Sequence, residues 1–140
     1  MKILIAADGS DYTKRMLAHI AAHDEWLGSQ HQYTVFHCVP ALPHRAAAFA
    51  GQATVQSYYD DDAEVVIRPI RAFFKLQSLE ATFVHEIGAP AEGIARFAEQ
   101  EKFDLLILGS HGHGALANLV LGSVATKVLA LCSTPVLLVR

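Results

Sequence analysis

The residues best suited to chemistry lie in one glycine-dense run, Gly109-Ser110-His111-Gly112-His113-Gly114, continuing to Gly122-Ser123. Glycine tolerates positive φ and lets a ligand approach the backbone amides closely. Ser123 reads as the N-cap of a helix reaching Leu131. The unpaired amides and dipole at such a helix start attract an anion. Successive amides around Gly109 and Gly112 would form a second concavity for phosphate. One or two glycines here would mean only tight turns. Four of them, with Gly122-Ser123 opening a helix, point to phosphate binding. The run is not a Walker P-loop, because no Lys precedes Ser123. It also follows a late strand and lacks the G-x-G-x-x-G spacing of a dinucleotide site.

Other polar residues are weighed beside it. Asp8 ends the first apolar run, where it either caps the next helix together with Ser10 or faces a ligand. His111 and His113 stand two apart, and nothing is spaced to complete a metal site with them. They are expected near the phosphates, with His113 adding positive charge when protonated. His37 and His85 read as sheet residues, and Lys127 as a solvated helix position. Asp60-Asp61-Asp62 reads as the acidic opening of a helix, which suits its dipole. Cys38 and Cys132 belong to no CxxC pair, so two free thiols in a reducing cytosol are expected rather than a disulfide.

The elements that must position these residues alternate in type. Five short apolar runs, 3–7, 33–39, 81–87, 105–108 and 136–139, read as strands. The first, fourth and fifth are almost wholly apolar, as strands buried on both faces of a parallel sheet are. The second and third carry His37, Thr82 and His85, which places them toward an edge. Tyr12, Met16, Leu17, Ile20 and Ala21 form one helical stripe, with Ser10 as its cap and Gly28 as its stop. Ala91, Ile94, Ala95 and Ala98 form a second behind Pro90, whose fixed φ suits a first helical position. Val124, Val128 and Leu131 belong to a third that Pro135 cannot continue. Val66, Ile70 and Phe73 fit a helix over 60–77 that Pro69 should kink or split. Residues 40–59, with Pro40, Pro43 and Gly51, read as a loop. Strands alternating with helices predict an α/β fold, a doubly wound parallel sheet with helices on both faces. Ligands of such sheets bind at the carboxyl ends of the strands, where the winding reverses.

Size and charge bound the rest. A chain of 140 residues, 52% hydrophobic and 18% charged, predicts a single packed domain over 1–140. With 11 Lys+Arg against 14 Asp+Glu, it offers no electrostatic footprint for a nucleic acid. The N-terminal apolar run meets a charge within eight residues, and no run reaches membrane-spanning length. A cytoplasmic protein with no membrane or nucleic-acid partner is expected.

The spacing Gly109, two residues, Gly112, nine residues, Gly122-Ser123 matches the G-x2-G-x9-G-S/T of the nucleotide-binding universal stress proteins, and the whole chain resembles that family. The opening Ile3-Leu-Ile-Ala-Ala-Asp8-Gly-Ser10, Gly88-Ala89-Pro90 and the closing Ser133-Thr-Pro-Val-Leu-Leu-Val-Arg140 are similar to the family's. Residues 40–80 are the least typical. The resemblance implies five parallel strands in the order 3-2-1-4-5, which puts the switch point between the first and fourth strands. It implies ATP as ligand, with Mg²⁺ accompanying the phosphates near Asp8 and Ser123. Asp8 would then line the nucleoside side, and the backbone at Cys38 and Val39 would meet the adenine. Gly109, Gly112, Gly122 and Ser123 would hold the phosphates. It also implies a homodimer through the last strand, 136–140. No catalytic residue is assigned, so a nucleotide-dependent stress regulator or sensor with at most slow ATP hydrolysis is expected. Three rivals stand beside it. A receiver domain needs a phosphorylatable Asp ending the third strand, where His85-Glu86-Ile87-Gly88 stands instead. An adenylating or ATP-pyrophosphatase-type enzyme needs an S-G-G-x-D-S loop, of which Ala7-Asp8-Gly9-Ser10-Asp11 is a faint echo. A nucleotide-free dimerisation module has no use for the glycine spacing.

Overall fold

The computed structural model describes residues 1–114 and 120–140. Its elements are β1 (Lys2–Ala6), α1 (Asp11–Ala22), α2 (Asp24–Leu27), β2 (Gln32–Val39), α3 (His44–Ala50), α4 (Gln52–Leu76), β3 (Ala81–Ile87), α5 (Pro90–Gln100), β4 (Leu105–Gly109), α6 (Ser123–Leu131) and β5 (Val136–Val139). The five strands form one parallel sheet in the order β3-β2-β1-β4-β5, as the resemblance implies.

Alternation along the central strands divides the core in two. Ile3, Ile5 and Ala7 pack on one face with Met16, Ile20, Ile70 and Phe74, from α1 and α4. Leu4 and Ala6 point to the other, where they meet Ile94 and Ala98 of α5 and Ala125 and Val128 of α6. β1 has neighbours on both sides and helices over both faces, which is why its sequence is continuously apolar. β3 is an edge strand, as expected. β2 lies inside the sheet despite His37, because that imidazole is paired, its Nδ1–H donating to the Ala7 carbonyl at 2.8 Å.

Several local expectations are corrected. Residues 40–59 are largely helical, split between α3 and the start of α4. Pro69 does not end α4. It lies on the exposed side, where solvent can satisfy the carbonyl one turn earlier, and the buried stripe is Tyr59, Ala63, Ile67, Ile70 and Phe74. Asp60-Asp61-Asp62 therefore sits inside α4 and does not open it. Gly28 follows α2, since α1 already ends at Ala22. Gly122, not Ser123, is the N-cap of α6, and Ser123 is its first helical residue. Cys38 and Cys132 are both free thiols. No helix among the described residues is long and apolar enough to cross a membrane.

Candidate functional site

The chain runs from β1 outward to β2 and β3, then crosses back to β4 and β5. At the carboxyl ends of β1 and β4 this reversal opens a cavity of about 370 Å³, within the range of small-molecule sites. Its apolar part is built by Ala6, Phe36, Ile94, Leu108 and Ala125, and its other part by Asp8, the glycine run and the start of α6. The amides of Ser123, Val124 and Ala125 precede the first intrahelical bond of α6, which Thr126 N–H makes to the Gly122 carbonyl at 3.0 Å. They are the unpaired donors every helix start leaves.

Asp8 is held in a closed turn. Its Oδ1 accepts from Ser10 N–H at 2.9 Å and from the Thr13 hydroxyl at 3.1 Å, and Thr13 Oγ1 accepts the Asp8 and Gly9 amides at 3.2 Å. Gly9 takes φ +77 to make the turn. Ser10 is the N-cap of α1 by position but makes no side-chain cap bond, and its hydroxyl is buried without a partner. Its Oδ2 faces the glycine run so closely that a Cβ on Gly112 would lie 2.5 Å away.

The other motif glycines answer the same kind of constraint. A Cβ on Gly109 would lie 2.8 Å from Cβ of Tyr12, and one on Gly122 would lie 3.1 Å from Cα of His111. Positive φ is not the reason, contrary to the expectation from composition. Gly9, Gly51 and Gly88 are the glycines with positive φ among the described residues. The three motif glycines let α1, the Asp8 turn and the start of α6 close around the end of β4. Gly114 has nothing within 4 Å and no such role.

Imidazoles and a thiol complete the walls. His113 Nε2–H donates to the Asp8 carbonyl at 2.7 Å, which ties the glycine run to the end of β1. His111 lies against Tyr12, ring centroids 5.2 Å apart, and the Ser110 hydroxyl is 3.0 Å from its Nδ1. Cys38 lines the cavity and its thiol donates to the Gly88 carbonyl at 3.3 Å. Burial, with Glu86 adding to it, pushes that thiol's pKa up, so it is a poor nucleophile.

The fold thus brings Asp8, Cys38, Gly109, Gly112, His113, Gly122 and Ser123 to one cavity. It does not bring the Val39 side chain there. Val39 is fully buried under α4 with Tyr59 and Ala63, and its carbonyl accepts Gly88 N–H at 2.9 Å. Residues 115–119 of the nine-residue spacer lie outside the described residues. Sequence reasoning missed Tyr12 and His37 as cavity walls. An aromatic residue four positions after the Asp that follows β1 was the available signal for Tyr12. Elsewhere Lys127 is exposed, 3.9 Å from Glu92, and His85 of β3 faces Asp60 at 3.4 Å.

The family model for the universal stress protein family matches residues 1–140. The chain belongs to the universal stress protein family. A universal stress protein from Thermus aquaticus is 35% identical over 139 residues, covering 99% of this chain and 97% of its own. The solved structure of a universal stress protein from Methanocaldococcus jannaschii is 26% identical, with TM-score 0.79 over 99% of this chain and 94% of that one. A universal stress protein solved in complex with cAMP shares the fold, with TM-score 0.72 and 20% identity over 100% of this chain and 97% of its own. Members of the same fold hold AMP in Arabidopsis thaliana and dAMP in Archaeoglobus fulgidus.

Proposed function

We propose that this universal stress protein binds an adenine nucleotide, ATP in the first instance, and acts through that binding as a cytoplasmic stress-response regulator, as a homodimer. The observation that carries the reading is the two-part cavity at the switch point. One part is lined by apolar side chains, Phe36 among them, and the other presents the unpaired amides of Ser123, Val124 and Ala125. The adenine nucleotides held by the fold neighbours are consistent with it. The base would lie among Phe36, Cys38 and Ile94, with the backbone at Cys38 and Val39 at its edge, and the phosphates would lie between Gly112 and the start of α6.

The donor set suits phosphate better than a bare cation. No cluster of three metal-ligating side chains occurs among the described residues. Asp8 spends Oδ1 on Ser10 and Thr13, leaving Oδ2 and the Ser123 hydroxyl to meet Mg²⁺ carried by the triphosphate. Mg²⁺ takes few protein ligands in such sites and keeps several waters.

Hydrolysis is expected to be slow, far below the roughly 10 s⁻¹ of a median enzyme. Phosphoryl transfer needs a group that orients the attacking water. Among the described residues the glycine run carries no carboxylate or amide side chain, and Asp8 has one oxygen in its turn and the other assigned to Mg²⁺. The decisive experiment is mass spectrometry of small molecules released from the purified protein, followed by thermal unfolding with and without Mg-ATP. At a hundredfold excess over its dissociation constant, a ligand stabilises the fold by about 2.7 kcal/mol. An unchanged melting temperature at millimolar ATP, with no nucleotide released, would leave the dimerisation module as the better reading. Rapid phosphate release from Mg-ATP would favour the enzyme.

A further inference from the structure

We infer that Arg15, carried on the ring of Tyr12, is a specificity-determining residue that selects nucleoside di- and triphosphates over monophosphates at this cavity. The inference rests on the nucleotide reading of the site and deepens it. The glycine run contains no Lys or Arg, so its amides alone would treat one phosphate much like three. The structure supplies a cation from another element.

The first turn of α1 stands at the cavity because α1 starts where β1 ends. Tyr12, Thr13 and Met16 line the wall. Arg15 is one turn on from Tyr12, and its guanidinium lies 4.9 Å from the Tyr12 ring centroid. The same ring meets His111 of the glycine run at 5.2 Å. Guanidinium, phenol and imidazole therefore form a continuous series from the surface of α1 to the segment expected to hold phosphate. Stacking fixes the direction of a long side chain that would otherwise sample many rotamers.

The neighbouring charges leave Arg15 available. Lys14 is paired with Asp11 at 3.1 Å, whereas Arg15 forms no ion pair among the described residues. Asp11 is held below the ordinary carboxylate range chiefly by Lys14, with the charges of Arg15 and His113 adding to the effect. Lys14 and Arg15 thus share the first turns of α1, whose Tyr12 lines the cavity, and of the two Arg15 is, among the described residues, the one outside an ion pair. A monophosphate seated at the start of α6 would already be satisfied by amides. Further phosphates must extend out of that seat, and a guanidinium fork binds their oxygens in bidentate fashion.

The test is calorimetric titration of ATP, ADP and AMP into wild type, Arg15→Gln, Arg15→Lys and Tyr12→Leu. Ligand-free melting temperatures check that each variant is folded. Wild type should bind ATP and ADP more tightly than AMP. Arg15→Gln should weaken ATP by about tenfold, the scale of one hydrogen bond to a charged group, and leave AMP unchanged. Arg15→Lys should keep part of the preference, and Tyr12→Leu should lose it by releasing the guanidinium. Raising the salt should narrow the ATP-to-AMP ratio in wild type more than in Arg15→Gln, because an exposed charge is screened. If Arg15→Gln binds ATP like wild type, or weakens all three nucleotides alike, the selection role is overturned while the nucleotide site stands. If wild type binds none of the three, the nucleotide reading falls and this role falls with it.

Discussion

A methyl group on Gly109 would sit 2.8 Å from Cβ of Tyr12, and neither atom can swing aside. The G-x2-G-x9-G spacing was legible in the sequence because such contacts leave room for no other residue. Its cause was not legible, since the Cβ that would collide belongs to an element far away in the chain. Asp8 shows the same split. Its position after β1 marked it as notable, but only the structure shows one oxygen closing a turn and the other facing Gly112. Tyr12 read as one apolar position of a helix stripe, because periodicity reports which face is buried and not what that face borders. The glycines separate the two causes experimentally. Gly109→Ala should cost about 1–3 kcal/mol, the scale of overpacking, and should weaken nucleotide binding by displacing α1 from β4. Gly114→Ala, with nothing within 4 Å, should stay within about 0.5 kcal/mol of wild type. Urea unfolding of both variants measures the contrast, and equal costs would refute a packing origin for the motif.

The strands and α1, α5 and α6 were readable because each keeps a single period over its length. α4 was not. Pro69 argued for a break, yet Tyr59, Ala63, Ile67, Ile70 and Phe74 hold one buried stripe through it. A proline is tolerated where its missing N–H and its ring face water, and sequence alone does not say which side of a helix that is. β2 carries a pH-dependent tie of a similar hidden kind. Tyr33 is 3% exposed, and its hydroxyl donates to the carbonyls of Leu27 and Gly28 at the end of α2. Burial raises its pKa from 10.0 to about 12. A raised folded-state value means that the contribution is intact below pH 10 and is lost as pH climbs toward 12. The loss amounts to roughly 3 kcal/mol over that window. Tyr33→Phe removes the titration, so wild type should lose more stability than the variant between pH 9.5 and 11.5 in chemical unfolding. Parallel losses would show that other groups govern the alkaline limb.

For the whole molecule the unresolved matter is the open edge. In the order β3-β2-β1-β4-β5 the last strand has β4 on one side only. Ser110 N–H donates to the Val139 carbonyl at 2.8 Å, and Leu106 N–H to the Pro135 carbonyl at 2.8 Å. Residues 135 and 139 therefore direct their backbone groups toward β4. Since successive residues of a strand alternate in direction, the amides and carbonyls of Val136 and Leu138 point to the free side. The strand Val-Leu-Leu-Val carries no charge and no proline to blunt that edge, and all four residues are half-buried. Leu129 and Leu131 of α6 are exposed, 42% and 53%. An apolar edge of this kind is an aggregation hazard unless it is covered. Pairing with a second copy about a two-fold axis covers both edges at once and satisfies both sets of backbone groups. We therefore expect sedimentation velocity to give a dimer at micromolar concentration. Leu138→Lys should shift the equilibrium toward monomer, because the two-fold axis would bring like charges together across the joined strands. The cavity lies at the carboxyl ends of β1 and β4, so a monomeric variant that keeps its ligand-free melting temperature should still bind nucleotide. A wild type that sediments as a monomer at high micromolar concentration, or a Leu138→Lys variant that remains fully dimeric, would rule out β5 as the interface.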